Sequence, residues 1–476
     1  MYNYQYRFLK GFQYSWACLS LLLGLALTNG CVSVHQQNGY NFFSPLVETE
    51  QQVIIRGQID IDDEKIFRKE VVIYPEAFIR TIGGGKIIFE KGVSILGNSQ
   101  VFDIGANLVF NRNAIGQLNI KWFGARGYDQ EDDTQAFTTA LALAARLENS
   151  INVVIPTGQY YIREQLIVEN VAGLNKTINL IGEGISNSTN QGSSLIWNGS
   201  KGGVMILMRN NYLNVVQSLD FAAEPGHEVQ SNVELRYQIY QMEFRDCSFS
   251  GSAGDEAANI NLNDGQSNQV SEISFRNCIF RGKTEDNVTW HTSSAIKGGK
   301  ANTKNIYFEK CSFLGYTHGA INLEVAELLH VNNCTFALNT TDIICLLCST
   351  LATSNYSEQS QSFFEGTNSG NLAFTTMLNN YFDGHPDSDN VITNGSGSLV
   401  LINNNFGGNG GVDSVNLVKW IPKNISSIFS IGNFFRNDSS VTSPFLFQGQ
   451  ESFDVHSTGD KMGQDGVTAR KYKNGD

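Results

Sequence analysis

Proline is scarce in this chain, 7 in 476 residues, and charged side chains make up only 17% of it. Few prolines leave little room for rigid linkers, while 46 glycines supply many tight turns. Basic clusters are missing as well. With 33 Lys and Arg against 46 Asp and Glu, the net charge is −13, and this excludes the phosphate-binding surface that a nucleic-acid partner requires. Beyond the first 31 residues no apolar run is long enough to span a bilayer. Eight cysteines are present, but only Cys345 and Cys348 have Cys-x-x-Cys spacing. No second pair, histidine at ligand spacing or thioredoxin-like pattern accompanies them, so no metal is expected. An acidic chain with so little charge suits a neutral or weakly charged partner such as a polysaccharide.

What is present is a repeat. Cysteine stands two residues before phenylalanine in Cys247-Ser-Phe249, Cys278-Ile-Phe280, Cys311-Ser-Phe313 and Cys334-Thr-Phe336, at steps of 31, 33 and 23 residues. Asparagine takes the cysteine's place in Asn380-Tyr-Phe382 and Asn404-Asn-Phe406, 46 and then 24 residues on. A period of this length, with a β-branched or aromatic run before each signature, marks a solenoid of short strands. Equivalent positions of successive turns then lie one above another, about 4.8 Å apart. The cysteines are expected to form a buried column of thiols, and Asn380 and Asn404 an internal amide ladder.

The ends differ from this pattern. Residues 1–31 carry Arg7 and Lys10, an apolar run from about Trp16 to Leu27, then Thr28-Asn29-Gly30-Cys31. This reads as a secretory signal. Its small residues before a cysteine resemble a bacterial lipoprotein cleavage site, which would make Cys31 the lipidated first residue of an exported protein, at the outer membrane or cell surface; the alternative is an ordinary signal peptide and a secreted product. Asn29 departs from the pattern. The division expected is 1–31 leader, 32–118 an N-terminal β segment that begins the solenoid or packs on its first turn, 119–440 the coil, and 441–476 a tail.

One helix is predicted over 134–149. Asp132 can cap its free amides, Gln135 can reach back as a capping-box partner, and Phe137, Leu141, Ala144 and Leu147 line one face. Around it, Trp122-Phe123-Gly124-Ala125, Asp132-Asp133-Thr134, Pro156-x-Gly158-x-Tyr160 and Gly182-Glu183-Gly184 follow one another. In order and spacing they resemble the opening of the pectate-lyase superfamily. The resemblance implies an all-β fold, a right-handed parallel β-helix solenoid whose N-terminal end the helix covers, with Asp132 and Asp133 structural. The family usually has Asp-Gly before its Asp-Asp-Thr, where this chain has Tyr128-Asp129-Gln130-Glu131.

Aligning the strand after each signature stacks Ile260, Ile296, Ile321 and, further on, Val415 at an inward position, with Ile343-Ile344-Cys345-Leu346 fitting between the last two. Their neighbours should point outward in three lines: Asp255, His291 and Tyr316; Ala257, Ser293 and His318; Asn261, Lys297 and Asn322, with Glu324 one step further. The segment 281–290 is a charged insertion expected to wall this groove, and Trp290 can offer a flat face to a sugar ring. The stretch also resembles, more faintly, the polygalacturonases of the same superfamily, since Ser294-Ala-Ile-Lys297 and His318-Gly319 match parts of their motifs. That family's catalytic Asp-Asp positions hold His291 and Thr292 here, so the carboxylate pair of ordinary glycoside hydrolysis is missing from its place.

Three readings follow. A polysaccharide lyase would use Lys297, His318 or His291 as base and carboxylate-neutralising cation. A hydrolase would draw carboxylates from Glu324, Asp255 or Asp264. A binder or scaffold would hold an acidic, uronate-containing glycan without cleaving it, through Trp290, Tyr316, Asn322, Asn261 and Asp255. No organic cofactor is called for. Calcium is compatible with a lyase, though no dense acidic cluster demands it, and a membrane enters only through the lipid anchor.

Overall fold

Each repeat lays three short strands around a hollow that its own apolar side chains fill. The computed structural model describes residues 44–170, 176–185, 192–262, 269–282, 292–298, 303–366, 374–384, 391–395, 397–408, 418–420, 427–435, 445–447, 454–462 and 467–468. One turn runs through Thr292–Gly298 on a first face, Ile306–Glu309 on a second and Ser312–Leu314 on a third. Gly319–Asn332 then starts the next turn and covers the first and second faces without a break. Pairing between turns is parallel, an arrangement for which a right-handed crossover is strongly favoured. On the first face Ile260, Ile296, Ile321 and Ile343 stand in register. On the third, Phe249, Phe280, Phe313 and Phe336 do so, with ring centroids 4.8–5.0 Å apart. This is the expected β-helix.

The corner between the second and third faces explains the signature. Asp246, Asn277, Lys310, Asn333, Ser354, Asn379 and Asn403 all adopt left-handed backbone with φ between 51° and 58°, costing roughly 1–2 kcal/mol for a residue with a Cβ. The bend lets each amide donate to the next turn, as Asn277 does to the Glu309 carbonyl at 3.0 Å. It also turns the following residue inward. Cys247, Cys278, Cys311 and Cys334 are buried there. Burial pushes the Cys278 and Cys334 thiols up, so they remain protonated and inert at neutral pH.

From Asn355 onward the same column is an amide ladder. The Asn355, Asn380, Asn404 and Asn433 side chains donate to the Val331, Ala352, Met377 and Leu401 carbonyls, at 2.9–3.0 Å. Each Oδ1 accepts the backbone amide of the previous ladder residue, beginning with Cys334. Asp460 ends the series by accepting from Asn433. A cysteine above donates weakly to the same carbonyl position, as Cys278 Sγ does to Phe244 at 3.5 Å.

The N-terminal segment is itself coiled. Val53, Val71 and Val93 pair in parallel, as do Phe67, Phe89 and Phe110 through residues 64–67, 86–89 and 108–110, with rings stacked at 5.5 and 4.8 Å. This narrower coil joins the wide one where Gln117–Asn119 pairs with Ile151–Ile155, and one hydrophobic core runs through both.

The helix occupies Thr134–Arg146, beside that junction. Asp132 accepts the Thr134 amide at 3.0 Å as expected. Gln135 makes no capping-box bond. Asp133 instead turns its carboxylate to the amides of Arg126 (2.8 Å) and Gly127 (3.4 Å), and burial raises it to about 6. The helix stops short of 149 because Leu147 is extended (ψ 144°). Buried Lys176 satisfies its last carbonyls, donating to Ala144, Ala145 and Leu147. Cys345 and Cys348 form a disulfide within strand Thr341–Thr353. No helix among the described residues is long and apolar enough to cross a membrane.

Candidate functional site

An inward isoleucine turns its neighbours outward, and this rule builds one column on the first face. Asn261 pairs with Lys297 and Lys297 with Asn322. A single cation thus stands between two amides, one rung on either side and about 4.8 Å away. Glu324, two residues along the strand from Asn322, lies on the same side. Glu234 extends the column in the other direction, buried to 3% side-chain exposure and bonded to Arg236 at 2.6 Å.

Lys297 Nζ contacts the carboxylate of Glu256. Its own side chain is 23% exposed, whereas Glu256 is 78% exposed. The contact comes from a bulge. Gly254 pairs with Thr292 but Ala258 with Ser294, so a four-residue step faces a two-residue step and Asp255-Glu256 is pushed into solvent. Gly254 opens the bulge with φ 128°, a conformation that favours glycine.

Of the first expected line, Asp255 is exposed within the bulge. Tyr316 is a correction: it points inward, 1% exposed, with its hydroxyl bonded to Asn259 Oδ1 at 2.6 Å and Gly282 packed against its ring. The short turn from Cys311 to Ile321 draws this corner tight, so the tyrosine fills the interior and lines no groove. In the second line Ala257 and Ser293 are buried at the corner and only His318 is exposed. His318 donates its backbone amide to Ser293, which aligns the rungs as expected. It nevertheless stands four residues before Asn322, about 13 Å along the strand, and so does not converge with Lys297. His291, Trp290, Asp264, Cys31, the wall at 283–290 and the strand around Val415 lie outside the described residues. Among the described residues no three His, Cys, Asp or Glu side chains are grouped to hold a metal ion.

Glu256, Glu234 and Arg236 were not legible as site residues from spacing. Gly254 inside a strand was the available signal for the first of them. Chemically, the column offers a cation for a carboxylate and amides for hydroxyls, on a rigid strand framework that keeps them in line.

A parallel coil bearing a polar ladder on one open face defines the class: a β-helix of the pectate-lyase type. More narrowly, the family described as rhamnogalacturonase A/epimerase, pectate lyase-like, matches residues 117–356, just over half of the chain, and the chain belongs to it. No curated protein matches the sequence. Among solved structures the chain is similar to the Acinetobacter phage vB_ApiP_P1 tailspike (12% identity, 75% of this chain and 63% of that one, TM-score 0.42). It is also similar to the Dettilon tailspike (11%, 73% and 66%, TM-score 0.44) and to the Streptococcus pneumoniae surface adhesin PfbA (14%, 75% and 99%, TM-score 0.34). The alignments span 63% and 66% of the length of these two tailspike chains.

Proposed function

We propose that the first face binds an acidic, uronate-containing polysaccharide, with Lys297 receiving a carboxylate and Asn261 and Asn322 bonding hydroxyls of the adjoining sugars. The observation that carries this reading is the column itself, a cation between two amides in register. A uronate carboxylate would take the place of Glu256, whose exposure leaves it free to yield Lys297 at small cost. Membership of a rhamnogalacturonase-like family supports a sugar polymer as the partner.

The Lys297–Glu256 contact also supports cleavage by elimination. Glu256 would take the proton on the carbon bearing the uronate carboxyl while Lys297 neutralises that carboxyl. The electron pair left behind forms a carbon–carbon double bond and expels the glycosidic oxygen, which gains a proton. Hydrolysis has less support, because His291 and Thr292 stand in the sequence where the polygalacturonase pattern has its pair of catalytic aspartates. Export through the leader, with Cys31 lipidated, completes the reading.

The test is a screen on polygalacturonate, alginate and a neutral glucan, with and without calcium, following binding, unsaturated-product absorbance and reducing ends together. Binding to a uronate polymer is expected, and absorbance identifies elimination. Equal binding of neutral and acidic polymers, or none, would sink the proposal. For export, a Cys31→Ser variant should leave the membrane fraction; its retention there counts against the anchor.

A further inference from the structure

The second face carries a recess that the first-face reading does not use. Its outward column runs Glu243, Ser274, Tyr307, His330. Ser274 is small and Tyr307 on the next rung is large, so the tyrosine ring has little beside it on that side. The result is a cleft of ≈ 300 Å³ lined by Ser274, Arg276, Tyr307, Glu309, His330 and Asn332. This is the lower end of the range for small-ligand sites.

The cleft is built rather than incidental. Glu272 accepts from Tyr307 Oη at 3.3 Å and from Asn305 Nδ2 at 2.6 Å, which fixes the ring from behind. His330 closes the other side, its ring 6.3 Å from that of Tyr307 and at 74° to it. Arg276 lies over the rim between Glu243 (3.4 Å) and Glu309 (3.5 Å), and Arg245 pairs with Glu243 as well. Each cation here is matched by a carboxylate. Burial holds His330 below the usual imidazole range, against the pull of Glu309, so it adds no positive charge at neutral pH.

We infer that this cleft is a binding site for an uncharged sugar residue, stacked on Tyr307 and hydrogen-bonded by Asn332, Ser274 and the Arg276–Glu309 pair. An oriented aromatic face among donors and acceptors recognises a pyranose ring and its hydroxyls. An acidic sugar would meet Glu309 in the wall, with both arginines already engaged by Glu243 and Glu309. The inference is independent of the first-face reading. Both sites nevertheless lie along strand Gly319–Asn332, with Asn322 and His330 eight residues apart, so one polysaccharide carrying charged and neutral residues can reach both.

The experiment is calorimetric titration of the full chain with cello-, manno-, xylo- and galactotetraose up to about 10 mM. At least one should bind. Tyr307→Ala and Ser274→Phe, the second filling the cleft from an outward position, should each weaken binding by about tenfold or more, while Tyr356→Ala, which removes an exposed ring on the third face, leaves it unchanged. Melting temperatures confirm folding, and Ser274→Phe decides the matter if Tyr307→Ala proves unstable. Failure of all four sugars to bind, binding indifferent to the cleft variants, or loss of binding with Tyr356→Ala would each overturn the assignment.

Discussion

Asp342 is the buried group whose replacement tests the interior chemistry best. It is fully buried where the coil turns from the third face to the first, accepting from Asn339 Nδ2 at 2.9 Å and from the Ser357 hydroxyl. Loss of solvent raises its carboxyl from 3.8 to about 7, against hydrogen bonds from Ser357, Asn339 and Ser360 that favour the charge. A carboxyl raised in the folded state contributes stability that is complete below 3.8 and lost as pH rises through about 7. The whole span amounts to roughly 4 kcal/mol, and the part between about pH 5 and 8 to roughly 3 kcal/mol. Asp342→Asn keeps the acceptor facing Asn339 and can donate to Ser357, so it removes the charge without opening a cavity. Calorimetric melting at both pH values should show the variant gaining on the parent by on the order of 5 °C more at the higher pH. A gain that does not change between about pH 5 and 8 would show that the carboxyl is not held high, and the reasoning about this corner would fail.

Other consequences are local. Asn404→Ala removes the acceptor for the Asn380 amide and the donor to Met377, and should cost about 3 kcal/mol in denaturant unfolding. Phe280→Ala opens a gap between Phe249 and Phe313, whose rings lie 5.0 and 4.9 Å away, and should cost about 3–5 kcal/mol, read from the same curves. Lys176→Met strips the partner from three helix-end carbonyls and should speed hydrogen exchange in the last turn of the helix while the strands around Phe280 keep their protection.

The coil was legible because its signature is enforced by geometry. A left-handed residue followed by an inward one recurs at each corner, and inward Cys, Asn and Phe must match their neighbours above and below. Legibility stopped where one position changed character. Asn355 belongs to the ladder, but Ser357 stands where phenylalanine was sought, so the 46-residue step hid a turn. There Phe363 fills the space, 6.3 Å from both Phe336 and Phe382. Period-two counting placed Asn261, Lys297 and Asn322 correctly since their strands are regular. It failed for Tyr316, where a tight corner turns the ring inward. Glu256 escaped notice because its contact with Lys297 depends on the bulge that Gly254 opens.

The central claim is that Lys297 gives the first face its preference for a charged polymer. The direct measurement is the affinity of the parent and of Lys297→Ala for polygalacturonate and for the same polymer with its carboxyls reduced to alcohols. The parent should bind the acidic form more tightly, with the preference fading as salt is added, and Lys297→Ala should bind both forms alike. A variant that keeps the full preference would contradict the account and place the carboxylate-binding group elsewhere on the coil.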